Sequence, residues 1–325
     1  MKNILKFSML LFITVIVSCK KDTTDSPDGF NIYIEKTMFH VGDTAVFNIS
    51  GSPDVIVFYS GTVGSRYNNR ERLTSSGINK LSFQSSMTNG LLANAEPLSL
   101  LISTNLNGYD ATSIASATWT DITNRNTKWP TSLSTAYTTS DAVDISDFNT
   151  ADKVNIAFRA QGKKYPSQPQ RKWSLQNITL NNVLSDGTNT PLFSTFANTG
   201  WVQLSVKNSN SGFNAWNVGD WNQSSLTASV NSSGVVLRNA YPITFDPGTT
   251  VNNDENDDWL ITSAIDLKKT RPDAGIVIKS YLDLPLKQHS YVFKTAGTFK
   301  VAFVATNTDD KNVKSVVKEV TIIVN

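Results

Sequence analysis

The chain has 325 residues, 39% hydrophobic and 17% charged, a length and apolar content that suit two or three domains with their own cores. Its 29 Lys and Arg face 27 Asp and Glu, and removing Lys2 and Lys6 with a cleaved leader leaves 27 against 27, a balance that builds no basic stripe of the kind nucleic-acid binding needs. A single cysteine, Cys19, excludes an intrachain disulfide and a thiolate metal site.

Residues 1–18 read MKNILKFSMLLFITVIVS. Lys2 and Lys6 precede an apolar stretch from Phe7 to Val17, too short to cross a bilayer and suited to a signal-peptide core. Ile16, Val17 and Ser18 then lead into Cys19, and this run resembles the lipobox of bacterial lipoproteins. The resemblance implies cleavage before Cys19, diacylglycerol on its sulfur and acylation of the new amino group, a membrane attachment through several acyl chains. Residues 19–29 form the lipidated cysteine and a flexible polar tether. The Lys20-Lys21-Asp22 run resembles the export tags of Bacteroidetes-type surface lipoproteins, which implies an outer-membrane protein facing the exterior; a periplasmic orientation is the alternative.

The body reads as all-β. Phe30, Ile32 and Ile34 alternate, Gly42-Asp43 turns, and Val46, Phe47 and Ile49 follow. Val55–Tyr59 is a continuous apolar run, as expected of a strand covered on both faces. These strands are too few to close a sandwich, and the far end supplies more: Tyr291 and Phe293, then Phe299 to Ala305, then Val316 to Val324. The expected organisation is a split sandwich, residues 30–72 plus 273–325, interrupted by a larger domain at 73–272.

YVFKTAGTFKVAFVATN at 291–307 resembles the closing strands of PKD-type immunoglobulin-like domains, and VGDTAVFNISGS at 41–52 resembles the opening half. IVFYSGTVGSRY at 56–67 is similar to a Phe-Tyr-Ser-Gly element in Bacteroidetes surface lipoproteins whose domain is of unknown function. The intervening region resembles the jelly-roll modules of cleaved adhesins, through LSLLISTNLNGY at 98–109, VNIAFRA at 154–160, RKWSLQNITL at 171–180 and DDWLITSAIDL at 257–267. The resemblance implies an Ig-like sandwich around an inserted jelly-roll β-sandwich.

Catalytic signatures are missing. No G-x-S-x-G elbow, P-loop or dinucleotide fingerprint occurs, and His40 and His289 stand in no metal-binding spacing. A non-enzymatic protein is expected, with a glycosidase carboxylate pair still open among 27 acidic residues. The densest charge is NNDENDD at 252–258, where Asp254, Asp257 and Asp258 are candidate ligands for a structural Ca²⁺; a solvated acidic loop is the alternative. No essential cofactor is expected. Trp119, Trp173, Trp201 and Trp259 sit in strand-like alternation and read as core.

Trp216 and Trp221 instead lie in SGFNAWNVGDWNQSS, which reads as a loop. Their indoles can stack on a pyranose while Asn217, Asp220 and Asn222 hydrogen-bond its hydroxyls; the alternative is that the tryptophans plug the end of the sandwich. Together these features lead to an outer-membrane lipoprotein that binds glycan through its inserted domain. Resemblance to lipoproteins beside glycan-uptake machinery adds outer-membrane uptake-complex proteins as partners. The rival reading is a protein-binding adhesin or assembly component.

Overall fold

The computed structural model describes residues 25–94, 96–193, 200–207, 216–218, 228–230, 236–238, 243–249, 251, 254–309 and 312–325. Of these residues 48% lie in strands and 6% in helices, so the protein is all-β. It divides into two compact units, a smaller one made of the chain up to Tyr67 and from Ala274 onward, and a larger one of Asn68–Asp273.

The smaller unit packs two sheets on one core. Thr44–Ser50 lies between Asn31–Tyr33 and Gln288–Val292, so the first sheet already joins both ends of the chain. In the second sheet Val55–Tyr59 lies between Ile276–Lys279 and Gly297–Thr308, followed by Val313–Val324 and the short parallel strand Met38–Phe39. Alternation aims Ala45, Phe47 and Ile49 from one sheet at Ile56, Phe58, Val301 and Phe303 from the other. Phe303 sits 5.2 Å from Phe47 and 5.0 Å from Phe58, ring to ring, in the tilted and edge geometries that aromatic quadrupoles favour.

The apolar run at Val55–Tyr59 differs from expectation. Ile56 and Phe58 are buried, whereas Val55, Val57 and Tyr59 are only half-buried on the other face. That face is covered by the chain at Gly275, where a Cβ would stand 2.4 Å from Val57 Cγ1, and by Tyr67, whose ring meets Tyr59 at 5.3 Å.

The larger unit is a second sandwich. Its five-stranded sheet runs in the order Val202–Lys207, Asn256–Ile261, Asn155–Gly162, Leu98–Ser103 and Thr120–Asp121, with antiparallel pairing throughout. The opposing sheet runs Trp216–Asn217, Ile243–Phe245, Lys172–Val183, Ile78–Thr88 and Ser134–Thr139, with Asn189–Phe193 and Val143–Asp144 also joined to it. Between them Phe83, Leu100, Ile102, Ile156, Phe158, Leu175, Leu180, Phe245 and Leu260 form the main core. The outer face of the five-stranded sheet carries a smaller cluster, Leu101, Ala157, Trp259 and Ile261, joined by Ile114 of the helix Ala111–Ser116. Two-sided burial explains why strand Asn256–Ile261 is apolar from Trp259 onward without alternation. Among the described residues no helix is long and apolar enough to cross a membrane.

Candidate functional site

The outer face of the five-stranded sheet turns polar where strand Asn256–Ile261 begins. In register, Arg159 faces Trp259, Gln161 faces Asp257 and Gly162 faces Asn256, while Lys207 pairs with Asp257 from the other side. Period-two alternation puts Arg159, Gln161, Asp257 and Trp259 on one surface. There Arg159 donates from Nε and Nη2 to both oxygens of Asp257, at 2.7 and 2.6 Å, and its guanidinium lies 4.8 Å from the Trp259 ring. The bidentate, stacked geometry explains why Asp257 raises the Arg159 pKa, and it suits arginine rather than lysine. Trp119 packs against Trp259 at 4.9 Å and closes the apolar side.

Beyond Asp257 a cleft of about 340 Å³ opens, lined by Pro97, Gln161, Gly162, Lys163, Lys207, Glu255, Asn256 and Asp257. Lys207 Nζ meets Glu255 Oε2 at 2.5 Å, which lowers the glutamate pKa and raises that of the lysine. The floor is held by buried Gln170. Its Nε2 donates to Lys163 O at 3.1 Å and Asp254 O at 2.7 Å, and its Oε1 accepts from Asn256 Nδ2 at 2.8 Å. Gly162 leaves room for this amide, since a Cβ there would come within 2.7 Å of Gln170 Cδ.

Next to Gln170, the buried Arg171 donates from Nη2 to the carbonyls of Leu91 and Asn94 at 2.8 and 3.2 Å, tying down the loop that leads to Pro97. The Arg171 backbone N–H donates to Glu96 Oε2 at 2.9 Å, while Glu96 Oε1 has no hydrogen-bond partner among the described residues. Burial pushes the Glu96 pKa above its ordinary 4.5. A raised folded-state pKa means that the stabilisation is present below the unfolded value and is lost as pH rises through the folded one. Glu96→Gln is therefore expected to raise the melting temperature at pH 7 and to flatten its decline above pH 4.5; an unchanged pH profile would show that Glu96 does not contribute.

The residues anticipated from sequence fall elsewhere. Trp216 is 1% exposed and belongs to the main core: it pairs with Phe245 across the sheet, its ring is 5.6 Å from that phenyl, and its Nε1 donates to Asp258 O at 3.1 Å. This corrects its assignment as a sugar-stacking platform, because a buried indole has no face to offer. Asn217 is exposed beside it, and Asp220, Trp221 and Asn222 lie outside the described residues, as does Cys19. His40 is exposed, while His289 is half-buried with its ring 4.4 Å from Phe58, and burial depresses its pKa.

The proposed calcium ligands do not converge. Asp254 is paired with Lys164 at 2.8 Å, Asp257 is held by Arg159, and Asp258 is fully buried on the opposite face of the same strand. Consecutive strand residues point apart, so Asp257 and Asp258 do not share an ion in this arrangement. Among the described residues no group of three or more His, Cys, Asp or Glu is placed to hold a metal. The cleft was missed because Gln161, Lys207 and Glu255 meet only through strand pairing; the acidic run before Trp259 was its one local sign.

No curated protein and no solved structure matches the chain. Residues 18–201 match the family described as Domain of unknown function (DUF5017), a match over more than half of the sequence. The chain belongs to that family.

Proposed function

We propose that the protein is a non-catalytic binding lipoprotein, anchored through Cys19 to the outer membrane and facing outward, whose larger unit takes a neutral glycan in the cleft around Gln161 and Lys207. The single observation that carries this reading is the balance of the lining. Lys163 and Lys207 are matched in the lining by Glu255 and Asp257, and the Gln161 amide stands on the same surface as Asp257, while Asn256 is turned to the buried Gln170. Such a surface offers paired donors and acceptors to vicinal hydroxyls and no net field for a polyanion. Glu255 does not suit the acid role in hydrolysis. A glycosidase acid needs a carboxyl with a raised pKa, whereas Lys207 holds Glu255 low. The sheet-borne residues are fixed by ladder bonds, which suits a preformed site for an extracellular ligand or an uptake-complex partner that hands one on.

The test is binding of the mature body, residues 20–325, to a broad glycan panel, repeated with Gln161→Ala/Lys207→Ala. Retention of one polysaccharide class, weakened about tenfold or more by the double variant, is the expected result. Full retention by a folded double variant would move the site out of the cleft. Silence of the wild-type body across the panel would favour the adhesin reading, and release of reducing sugar would overturn the non-catalytic one.

A further inference from the structure

The smaller unit carries an apolar turn directly after its edge strand Ile276–Lys279. Tyr281, Leu282 and Leu284 are 65%, 90% and 86% exposed. The turn is firmly built. Asp283 Oδ2 accepts from the Ser280 N–H and hydroxyl, both at 2.7 Å, and Asp283 N donates to Ser280 O at 3.1 Å. The two leucines flank that bonded aspartate and are held out into solvent rather than folded over the sheet.

This turn shares its end of the unit with the N-terminal segment. Lys279 Nζ donates to Ser280 O at 3.2 Å and to Asp54 O at 2.9 Å. Asp54 N donates to Asn307 Oδ1 at 3.1 Å, and Asn307 Nδ2 donates to Asp25 O at 3.0 Å. Exposed Val313 lies at the same end, paired with Thr308, whose N–H donates to Asp54 Oδ2 at 2.8 Å. From Cys19 to Asp25 the chain reaches at most about 20 Å even when fully extended. An acyl anchor on Cys19 therefore keeps the Asp25 end of the unit close to the lipid surface.

We propose that this end is a second lipid contact, with Tyr281, Leu282 and Leu284 seated in the interfacial layer of the bilayer that holds the anchor. The inference rests on the lipid-anchor reading above. Its chemistry is apolar insertion with a tyrosine at headgroup level, and Asp283 keeps its serine partner while it remains at the surface. Asp28, Asp54 and Asp309 lie near this end together with Lys279 and Lys314, so the contact rests on apolar insertion rather than on the sign of the headgroups. Two contacts fix how the unit stands on the membrane, where a tether alone leaves it free to turn.

The full lipoprotein is purified from membranes and reconstituted in phosphatidylcholine vesicles, carrying Leu282→Cys or Leu284→Cys labelled with an environment-sensitive fluorophore. The native sulfur is acylated, so the new thiol is the one that reacts. Thr295→Cys, exposed beyond the opposite end of strand Gly297–Thr308, serves as reference. The expected result is blue-shifted emission and quenching by spin-labelled lipid at 282 and 284, with neither at 295. The mass of the mature chain is read in parallel. Acyl mass present with water-like emission at 282 and 284 would overturn the second contact alone; no acyl mass would overturn the anchor and the contact with it.

Discussion

Replacing Trp216 with alanine is expected to destabilise the larger unit by about 3–5 kcal/mol, the cost of a large aromatic removed from a close-packed core. The indole lies between sheets, packs on Phe245 and donates to Asp258 O. Its loss leaves both a void and an unmet backbone acceptor, and the short strand Trp216–Asn217 loses the side chain that fastens it. If the cleft takes glycan as proposed, the affinity of the folded fraction should stay unchanged, because Trp216 does not line it. Urea unfolding paired with a binding isotherm separates the two roles. A variant of near-native stability that no longer retained glycan would restore Trp216 as a contact residue.

Gly61→Ala is the second large effect, at least about 2 kcal/mol in the smaller unit. Gly61 has φ +78°, where a Cβ is strained by roughly 1–2 kcal/mol, and that Cβ would stand 2.7–2.9 Å from the backbone N, C and O of Lys300. Backbone cannot swing aside as a side-chain end can. The turn is closed by Gly61 N–H to Ser65 O at 2.8 Å, and by the hydroxyls of Ser60 and Thr62 at 2.7 Å. The Phe-Tyr-Ser-Gly element thus has a physical reading: a buried phenyl, a half-covered tyrosine, a buried serine that bonds locally, and a glycine where two backbones touch. Thermal unfolding would show it; a loss under 0.5 kcal/mol, about the scatter of ordinary surface changes, would mean that the Lys300 backbone yields.

What could be read in advance follows from the range of each signal. Phe47 and Ile49 betray their strand by alternation, and so does the hairpin of Gly297–Thr308 with Val313–Val324, because period-two patterning is local. Val55–Tyr59 was less legible, since an unbroken apolar run does not say how well each face is covered. Trp216 misled because its neighbours are Gly, Asn and Ser, yet Ile243–Phe245 recruits it into a sheet from far along the chain. The acidic run at 252–258 read as one loop, whereas the strand begins at Asn256 and sends Asp257 and Asp258 to opposite faces. Arg159 and Asp257 come together only through register, which no local pattern encodes.

The split of the smaller unit also orders events in time. Its strand Val55–Tyr59 waits for two neighbours, Ile276–Lys279 and Gly297–Thr308, that emerge only after the larger unit has been made. Closing an unstructured loop of roughly 200 residues would cost on the order of 5 kcal/mol in chain entropy from its length alone. The larger unit removes most of that cost once folded, because its own ends are fastened side by side: Asp273 N donates to Asn69 O at 3.1 Å and Thr270 N to Leu73 O at 2.9 Å. The insertion thus acts as a folding clamp, and pulse-labelled hydrogen exchange should show protection in Phe158 and Leu260 before Phe58 and Phe303.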